Sequence, residues 1–180
     1  MAYAYYPRII LPVRRNIQDT KYDCGPASLK IILETMGHHP SEETLMRLAG
    51  TTPKDGTSPR GLHRTLTQLG IRSHVHAHAS VARVEAEIQA CRLCVIDYQA
   101  WGESGRDFAL RLTGHYSVIF GYTPTHFHVA DPSKHRTKIR RTWGFRMIRK
   151  DLFVQRWADT ESDGVPTRHW LLSVPLRIST

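Results

Sequence analysis

Cys24 lies in the segment Gln18-Asp-Thr-Lys-Tyr-Asp-Cys24-Gly-Pro-Ala-Ser-Leu, at the point where a predicted helix begins. A helix N-terminus stabilises a thiolate through its dipole and unpaired backbone amides, and the thiolate is the reactive form of cysteine. Gln18 could fold back and donate its side-chain amide, together with the Cys24 amide, to a developing oxyanion. The segment therefore indicates a nucleophilic cysteine, and the alternative interpretation is a buried, inert thiol.

A nucleophilic cysteine needs a base, and the base needs a group that orients it. The chain has eleven histidines, so composition does not select one. The context of His115 favours it, because it follows a glycine at the entry of an apolar run, and Asp131 ends the next predicted strand. If these strands form a hairpin, the start of the first lies beside the end of the second. The Asp131 carboxylate can then fix the tautomer of the His115 imidazole.

Each of these residues also has an ordinary structural interpretation. His115 could be a strand-end histidine whose hydrogen bonds are satisfied locally, and Asp131 could be a turn former before Pro132. The combination with Cys24 favours a catalytic site over three unrelated structural roles.

Three motifs carry this combination: Gln-x5-Cys-Gly-Pro-Ala-Ser-Leu from residue 18, Gly-His-Tyr-Ser-Val-Ile from residue 114, and Ala-Asp-Pro from residue 130. Together they resemble the motifs of bacteriocin-processing cysteine peptidases, which are papain-like enzymes that remove double-glycine leader peptides. The turn at residues 56–58 and the run at residues 95–101 are also similar to this family. The resemblance covers about residues 17–157, which is most of the chain.

The resemblance implies a role for each motif residue: Cys24 as nucleophile, His115 as general base and acid, Asp131 as orienting carboxylate, and Gln18 in the oxyanion hole. It also implies a peptide or protein substrate cut after small residues, and the mechanism requires no cofactor. Tyr22, Trp101 and Gly114 flank these residues and are predicted to bind substrate, with core packing as the alternative for the aromatic residues. Two other functions stay open, namely a catalytically idle peptide-binding module and an acyl transferase using the same thioester.

The predicted secondary structure that positions these residues changes along the chain from helices to strands. Apolar residues at helical spacing predict helices at residues 24–36, 41–50, 59–69 and 80–90. Short β-branched and aromatic runs then predict strands at residues 93–98, 116–122, 127–130 and 170–174, with one or two helical turns at 151–158. N-terminal helices packed on an antiparallel sheet make an α+β, papain-like fold. We expect one domain over residues 1–180.

Two short-spaced groups raise the question of a metal site, which we do not predict. Cys91 and Cys94 have a zinc-like spacing, and His74, His76 and His78 alternate along a possible strand with their rings on one side. A structural zinc site needs four converging ligands, and a second cysteine pair is absent from the sequence. We expect Cys91 to end a helix and Cys94 to begin a buried strand.

Composition and charge limit the possible localisation and partners of the protein. No uncharged apolar run reaches the roughly 18–20 residues of a membrane helix, and residues 1–8 do not resemble a signal peptide. With three cysteines and no disulfide pattern, we expect a soluble, cytoplasmic protein.

The net charge of +9 is concentrated in residues 134–150, which hold eight basic residues and no acids. This basic patch is a candidate docking site for an acidic partner; no nucleic-acid module surrounds it, so we do not predict nucleic-acid binding.

Overall fold

The computed structural model describes residues 8–101, 114–133, 144–160 and 166–176. Five helices lie within these ranges: α1 (Cys24–Thr35), α2 (Glu42–Ala49), α3 (Pro59–Gln68), α4 (Val81–Gln89) and α5 (Lys150–Arg156). The strands of the same ranges are β1 (Ile9–Ile10), β2 (His74–His76), β3 (Arg92–Gln99), β4 (Gly114–Tyr122), β5 (His126–Ala130), β6 (Phe145–Arg149), β7 (Ala158–Thr160), β8 (Pro166–Arg168) and β9 (Leu171–Pro175). In this part of the chain, no helix has the length and apolar character that a bilayer crossing requires.

Serine caps define where three of the helices begin. Ser41, Ser58 and Ser80 precede α2, α3 and α4, and each side chain accepts a hydrogen bond from a backbone amide of the first turn. Such a cap satisfies one of the amides that a helix start leaves unpaired. Gly50 ends α2 in the left-handed conformation, at a φ of 72°. The four predicted helices of the first half are confirmed, with ends within two residues of the predicted ones.

The main sheet has the strand order β2-β9-β3-β4-β5-β6, and β1 pairs with the far end of β4. Every pairing in it is antiparallel, which confirms the predicted α+β class. The central strands β3 and β4 are buried along nearly their whole length. Leu29, Ile32 and Leu33 of α1 pack into the same core, so α1 is held against the sheet by its apolar face.

The outer strands hold part of the basic stretch and two of the three alternating histidines. β6 lies inside the basic stretch, and residues 145–149 pair in full with β5. Residues 134–143 of that stretch lie outside the described residues. The expectation that His74, His76 and His78 alternate along one strand is wrong. β2 ends at His76, and His78 has a φ of 54°, which is in the left-handed region.

Candidate active site

The hairpin of β4 and β5 brings His115 and Asp131 together. Val118 pairs with Ala130 in an antiparallel register, so the start of β4 lies beside the end of β5, as predicted. His115 Nε2 lies 2.8 Å from Asp131 Oδ1, and both residues are buried. The carboxylate therefore fixes the orientation of the imidazole, and the second ring nitrogen, Nδ1, remains for another partner.

Cys24 is the first residue of α1 and is half-buried. Its side chain lies close enough to His115 to raise the pKa of that imidazole. Because Asp131 occupies Nε2, the nitrogen available to the thiol is Nδ1. Gly25 follows at a close contact between helices, where an added Cβ would lie 3.1 Å from Leu62 Cδ2 and from Thr57 Cβ. The start of α1 and the start of β4 thus converge on one thiol–imidazole pair.

The electrostatics of His115 favour its charged form. Burial alone would lower the pKa of its imidazole, but the Asp131 carboxylate and the contacts with Cys24 raise that pKa to about 10. A histidine near a carboxylate and a thiolate is stabilised as imidazolium. The imidazolium form of His115 is therefore favoured at neutral pH, next to the Cys24 side chain.

Asp131 has two further partners that keep it ionised. The Ser133 amide donates to Oδ1 at 3.0 Å, and Arg146 Nη1 lies 3.1 Å from Oδ2. Burial raises the pKa of Asp131, but His115, Arg146 and the Ser133 amide together hold it below its ordinary value. Arg146 was not among the predicted site residues. It reaches Asp131 because β6 pairs with β5 and the Asp131 amide donates to the Gly144 carbonyl at 2.7 Å.

Replacing Arg146 with glutamine is expected to make the protein more sensitive to acid. Asp131 has a depressed pKa in the folded state, so its stabilisation is present above its ordinary pKa of about 3.9 and is lost as pH falls through the folded value. Without Arg146 the folded pKa moves back toward the ordinary range, and acid unfolding begins at a higher pH. We also expect a loss of about 1–3 kcal/mol in the free energy of unfolding at pH 7.

Circular dichroism between pH 7 and pH 2, with urea unfolding at pH 7, measures both effects. Arg149→Gln is the matched control, since it removes an arginine from the same strand whose ion pair with Asp151 is on the surface. Surface pairs contribute roughly 0–1 kcal/mol, so this control should unfold close to the wild type. Equal acid sensitivity of the two variants would contradict the role of Arg146 beside Asp131.

Gln18 is buried and is tied to the hairpin through its backbone. Its amide donates to the Pro132 carbonyl at 2.9 Å, directly after Asp131. Its side-chain Nε2 donates to the Thr20 carbonyl at 2.7 Å. A carboxamide nitrogen carries two hydrogens, so one is left to donate to an oxygen in the site.

The three residues predicted to bind substrate occupy different positions around this pair. Trp101 packs edge-on against His115 at 4.9 Å between ring centroids, and Tyr98 lies 6.3 Å from the same ring on the neighbouring strand. Gly114 is exposed at the start of β4, and Tyr22 is half-buried two residues before Cys24. Trp101 therefore shields the imidazole from solvent, and the contact of all three residues with substrate stays a prediction.

The residues considered for metal binding differ in burial and in their contacts. Cys94 is fully buried, and burial raises the pKa of its thiol well above the ordinary value. Cys91 is exposed directly after α4. His76 Nε2 lies 3.4 Å from Glu87 Oε1. Across the ranges that the structure describes, no three His, Cys, Asp or Glu side chains are grouped as a metal site would require.

The described basic residues of the 134–150 stretch are bound to acids of this chain. Arg146 contacts Asp131, Arg149 contacts Asp151, and Lys150 Nζ lies 2.6 Å from Glu85 Oε1, while also facing the rings of two aromatic residues, Tyr122 and Phe127. Any docking of an acidic partner would thus rest on residues 134–143, which lie outside the described residues.

Comparisons with known protein families, sequences and structures agree with the family resemblance of the motifs. Residues 14–143 match the model of the peptidase C39 family. An uncharacterised protein of Methanothermobacter marburgensis is 33% identical over 124 residues, which are 69% of this chain and 75% of that protein. A solved C39-like peptidase from Bacillus anthracis has a TM-score of 0.67 at 13% identity, covering 95% of this chain and 98% of that one. A double glycine motif protease from an AMS/PCAT transporter, solved in complex with the leader peptide, has a TM-score of 0.61 at 15% identity, covering 93% and 97% of the two chains.

Proposed function

Because the chain belongs to the peptidase C39 family, as its motifs predicted, we propose that it is a cysteine peptidase with Cys24, His115 and Asp131 as its catalytic triad. The observation that carries the proposal is the position of His115. Its ring is hydrogen-bonded to the Asp131 carboxylate, and the Cys24 side chain is near enough to raise the pKa of the imidazole. That arrangement is what a general base needs in order to activate a nucleophile.

The reaction proceeds in two acyl-transfer steps. The Cys24 thiolate attacks the scissile carbonyl carbon, and the resulting oxyanion is stabilised by the Cys24 backbone amide and the Gln18 side chain. The His115 imidazolium then donates its proton to the leaving amine as the C–N bond breaks, which leaves a thioester on Cys24. His115 next removes a proton from water, the hydroxide adds to the thioester, and the acid product leaves as the thiol is restored.

The substrate is a peptide or protein segment with small residues before the cleaved bond. Support comes from the solved double glycine motif protease, which was captured with a leader peptide. In this chain, Trp101 lies against His115 and Gly114 is exposed beside it, so the indole would exclude larger side chains next to the imidazole and favour glycine. Tyr22, two residues before Cys24, is proposed as a further substrate contact.

The activity is assigned to one domain in a reducing compartment such as the cytoplasm. The buried apolar residues of the described ranges form one continuous core that includes both α1 and the sheet. All three cysteines are free thiols, which fits a compartment where disulfides do not persist.

An internally quenched peptide with a Gly-Gly pair at its centre tests the proposal. The wild type should cut it after the glycines, and Cys24→Ala should bind it without cutting. Mass spectrometry of the wild type during turnover should find the N-terminal product attached to Cys24. Addition of an amine nucleophile separates hydrolysis from transfer, because a transferase would release the amide instead of the acid. Binding with neither product nor acyl-enzyme, across a panel of such peptides, would favour the idle peptide-binding module.

A further inference from the structure

Two buried carboxyl groups lie beneath the segment that carries Gln18. Asp23 is 0% exposed, and Glu42, the first residue of α2, is 3% exposed. The backbone amide of Asp19 faces both groups, at 3.2 Å from Asp23 Oδ2 and 3.0 Å from Glu42 Oε2. The proximity of the Asp23 side chain raises the pKa of Glu42.

The surroundings of Glu42 act on its pKa in both directions. Burial raises the pKa of Glu42, and its contact with Asp23 raises it as well, against the opposing hydrogen bonds from Asn16 and the Asp19 amide. Lys30 Nζ lies 3.7 Å from Glu42 Oε1 and offsets part of its negative charge. The hydrogen-bond donors and the cation around Glu42 together offset the cost of its burial.

The hydrogen bonds of this pair fix the chain on both sides of Gln18. Glu42 accepts from the Asn16 side-chain amide before it and from the Asp19 backbone amide after it. Asp23 accepts from the Thr20 amide at 3.1 and 3.2 Å. The Thr20 carbonyl is in turn the acceptor that orients the Gln18 carboxamide. The direction of that carboxamide therefore depends on contacts made by Glu42 and Asp23.

We propose that Glu42 is a positioning residue for the oxyanion hole, acting through the segment of residues 16–20 on the Gln18 side chain. The inference rests on the proposed function, since it assigns Gln18 to the oxyanion hole. Glu42 touches neither substrate nor Cys24 in this account. Its contribution is to keep the donor of Gln18 aimed at the position where the oxyanion forms, where a misplacement of about 1 Å can lower the rate by up to 100-fold.

Two small reagents separate this role from a general effect on the site. p-Nitrophenyl acetate acylates a thiolate through a tetrahedral oxyanion, so its reaction needs the oxyanion hole. Iodoacetamide alkylates the same thiolate by direct displacement and forms no oxyanion. Neither reagent requires knowledge of the natural peptide. The ratio of the acylation rate to the alkylation rate at Cys24 is therefore a measure of oxyanion stabilisation.

Glu42→Ala should lower the acylation rate about tenfold and leave alkylation unchanged, whereas Gln18→Ala should lower acylation about 100-fold. The double variant should match Gln18→Ala within about twofold, because Glu42 acts through Gln18. Glu42→Gln should lie between Glu42→Ala and the wild type, since glutamine keeps one acceptor oxygen for the two donors that face Glu42, the Asn16 side chain and the Asp19 amide. Glu43→Ala is the matched control, because Glu43 is the exposed neighbour in the same helical turn.

Three results would overturn the inference while leaving the proposed function intact: unchanged acylation in Glu42→Ala, equal losses of acylation and alkylation, or a Glu42→Ala effect that persists in the Gln18→Ala background. Glu42→Asp, one methylene shorter, carries the same test if Glu42→Ala does not fold. A wild-type Cys24 that reacts with iodoacetamide no faster than the exposed Cys91 would instead reject the proposed function, and this inference with it.

Discussion

Replacing His115 with alanine is expected to reduce peptide hydrolysis by about 10⁴-fold or more, because the chain would lose its general base and general acid together. His115 is the residue that contacts both Cys24 and Asp131, so the other members of the proposed triad cannot compensate. The loss should fall on kcat more than on KM, since His115 acts on the bonds being made and broken. Turnover of the Gly-Gly peptide by purified variants measures both constants.

His126→Ala is the control for this prediction. His126 begins β5 at the far end of the same hairpin, and its ring is hydrogen-bonded to the Thr125 hydroxyl at 2.8 Å. It shares the hairpin with His115 but lies away from Cys24, so we expect hydrolysis within about twofold of the wild type. A His115→Ala variant that folds and still cuts the peptide within tenfold of the wild-type rate would contradict the triad.

Replacing Asp131 with asparagine is expected to move the alkaline limit of activity to a lower pH. In the proposed mechanism the imidazolium form of His115 protonates the leaving amine, so wild-type activity should persist until the pH rises through the His115 pKa of about 10. The Asp131 carboxylate is the main contribution that raises this pKa above its ordinary value, against the effect of burial. Asparagine keeps a hydrogen-bond acceptor for Nε2 but removes the charge. We therefore expect the alkaline limb of kcat/KM to fall by about 1–3 pH units.

The pH profile of kcat/KM from pH 5 to 11 measures this shift. Asp151→Asn is the matched control, because Asp151 is an exposed carboxylate that also pairs with an arginine of β6, namely Arg149. Its alkaline limb should coincide with that of the wild type. An Asp131→Asn variant whose alkaline limb stays in place would mean that another group sets the pKa of His115.

Much of the fold follows from local features that are readable in the sequence. Ser41, Ser58 and Ser80 cap three helices with contacts to residues only three positions away, so their starts could be predicted from short segments. The proximity of His115 and Asp131 was predictable as well, because a hairpin of two adjacent strands fixes which ends meet.

Arg146 and Glu42 were not predicted from the sequence, because their contacts join segments that lie far apart along the chain. Arg146 reaches Asp131 only because β6 adds to the edge of β5, and the basic stretch that contains β6 lacks the apolar alternation that indicates a strand. In the sequence, Glu42 is an ordinary acidic residue in the first turn of a helix, where the helix dipole favours a negative charge. Its burial against Asp23 depends on how α1 and α2 pack, and nothing in a short segment reports that contact.

The pH dependence of alkylation at each cysteine, in the wild type and in His115→Ala, tests the central claim most directly. Iodoacetamide labelling followed by peptide mass spectrometry reports Cys24, Cys91 and Cys94 separately, and the exposed Cys91 is the internal control. We predict that Cys24 reacts well below the reference thiol pKa of about 8.5 and that His115→Ala removes this low-pH reactivity. A Cys24 that titrates like Cys91 in both proteins would contradict the thiolate–imidazolium pair and, with it, the proposed peptidase activity.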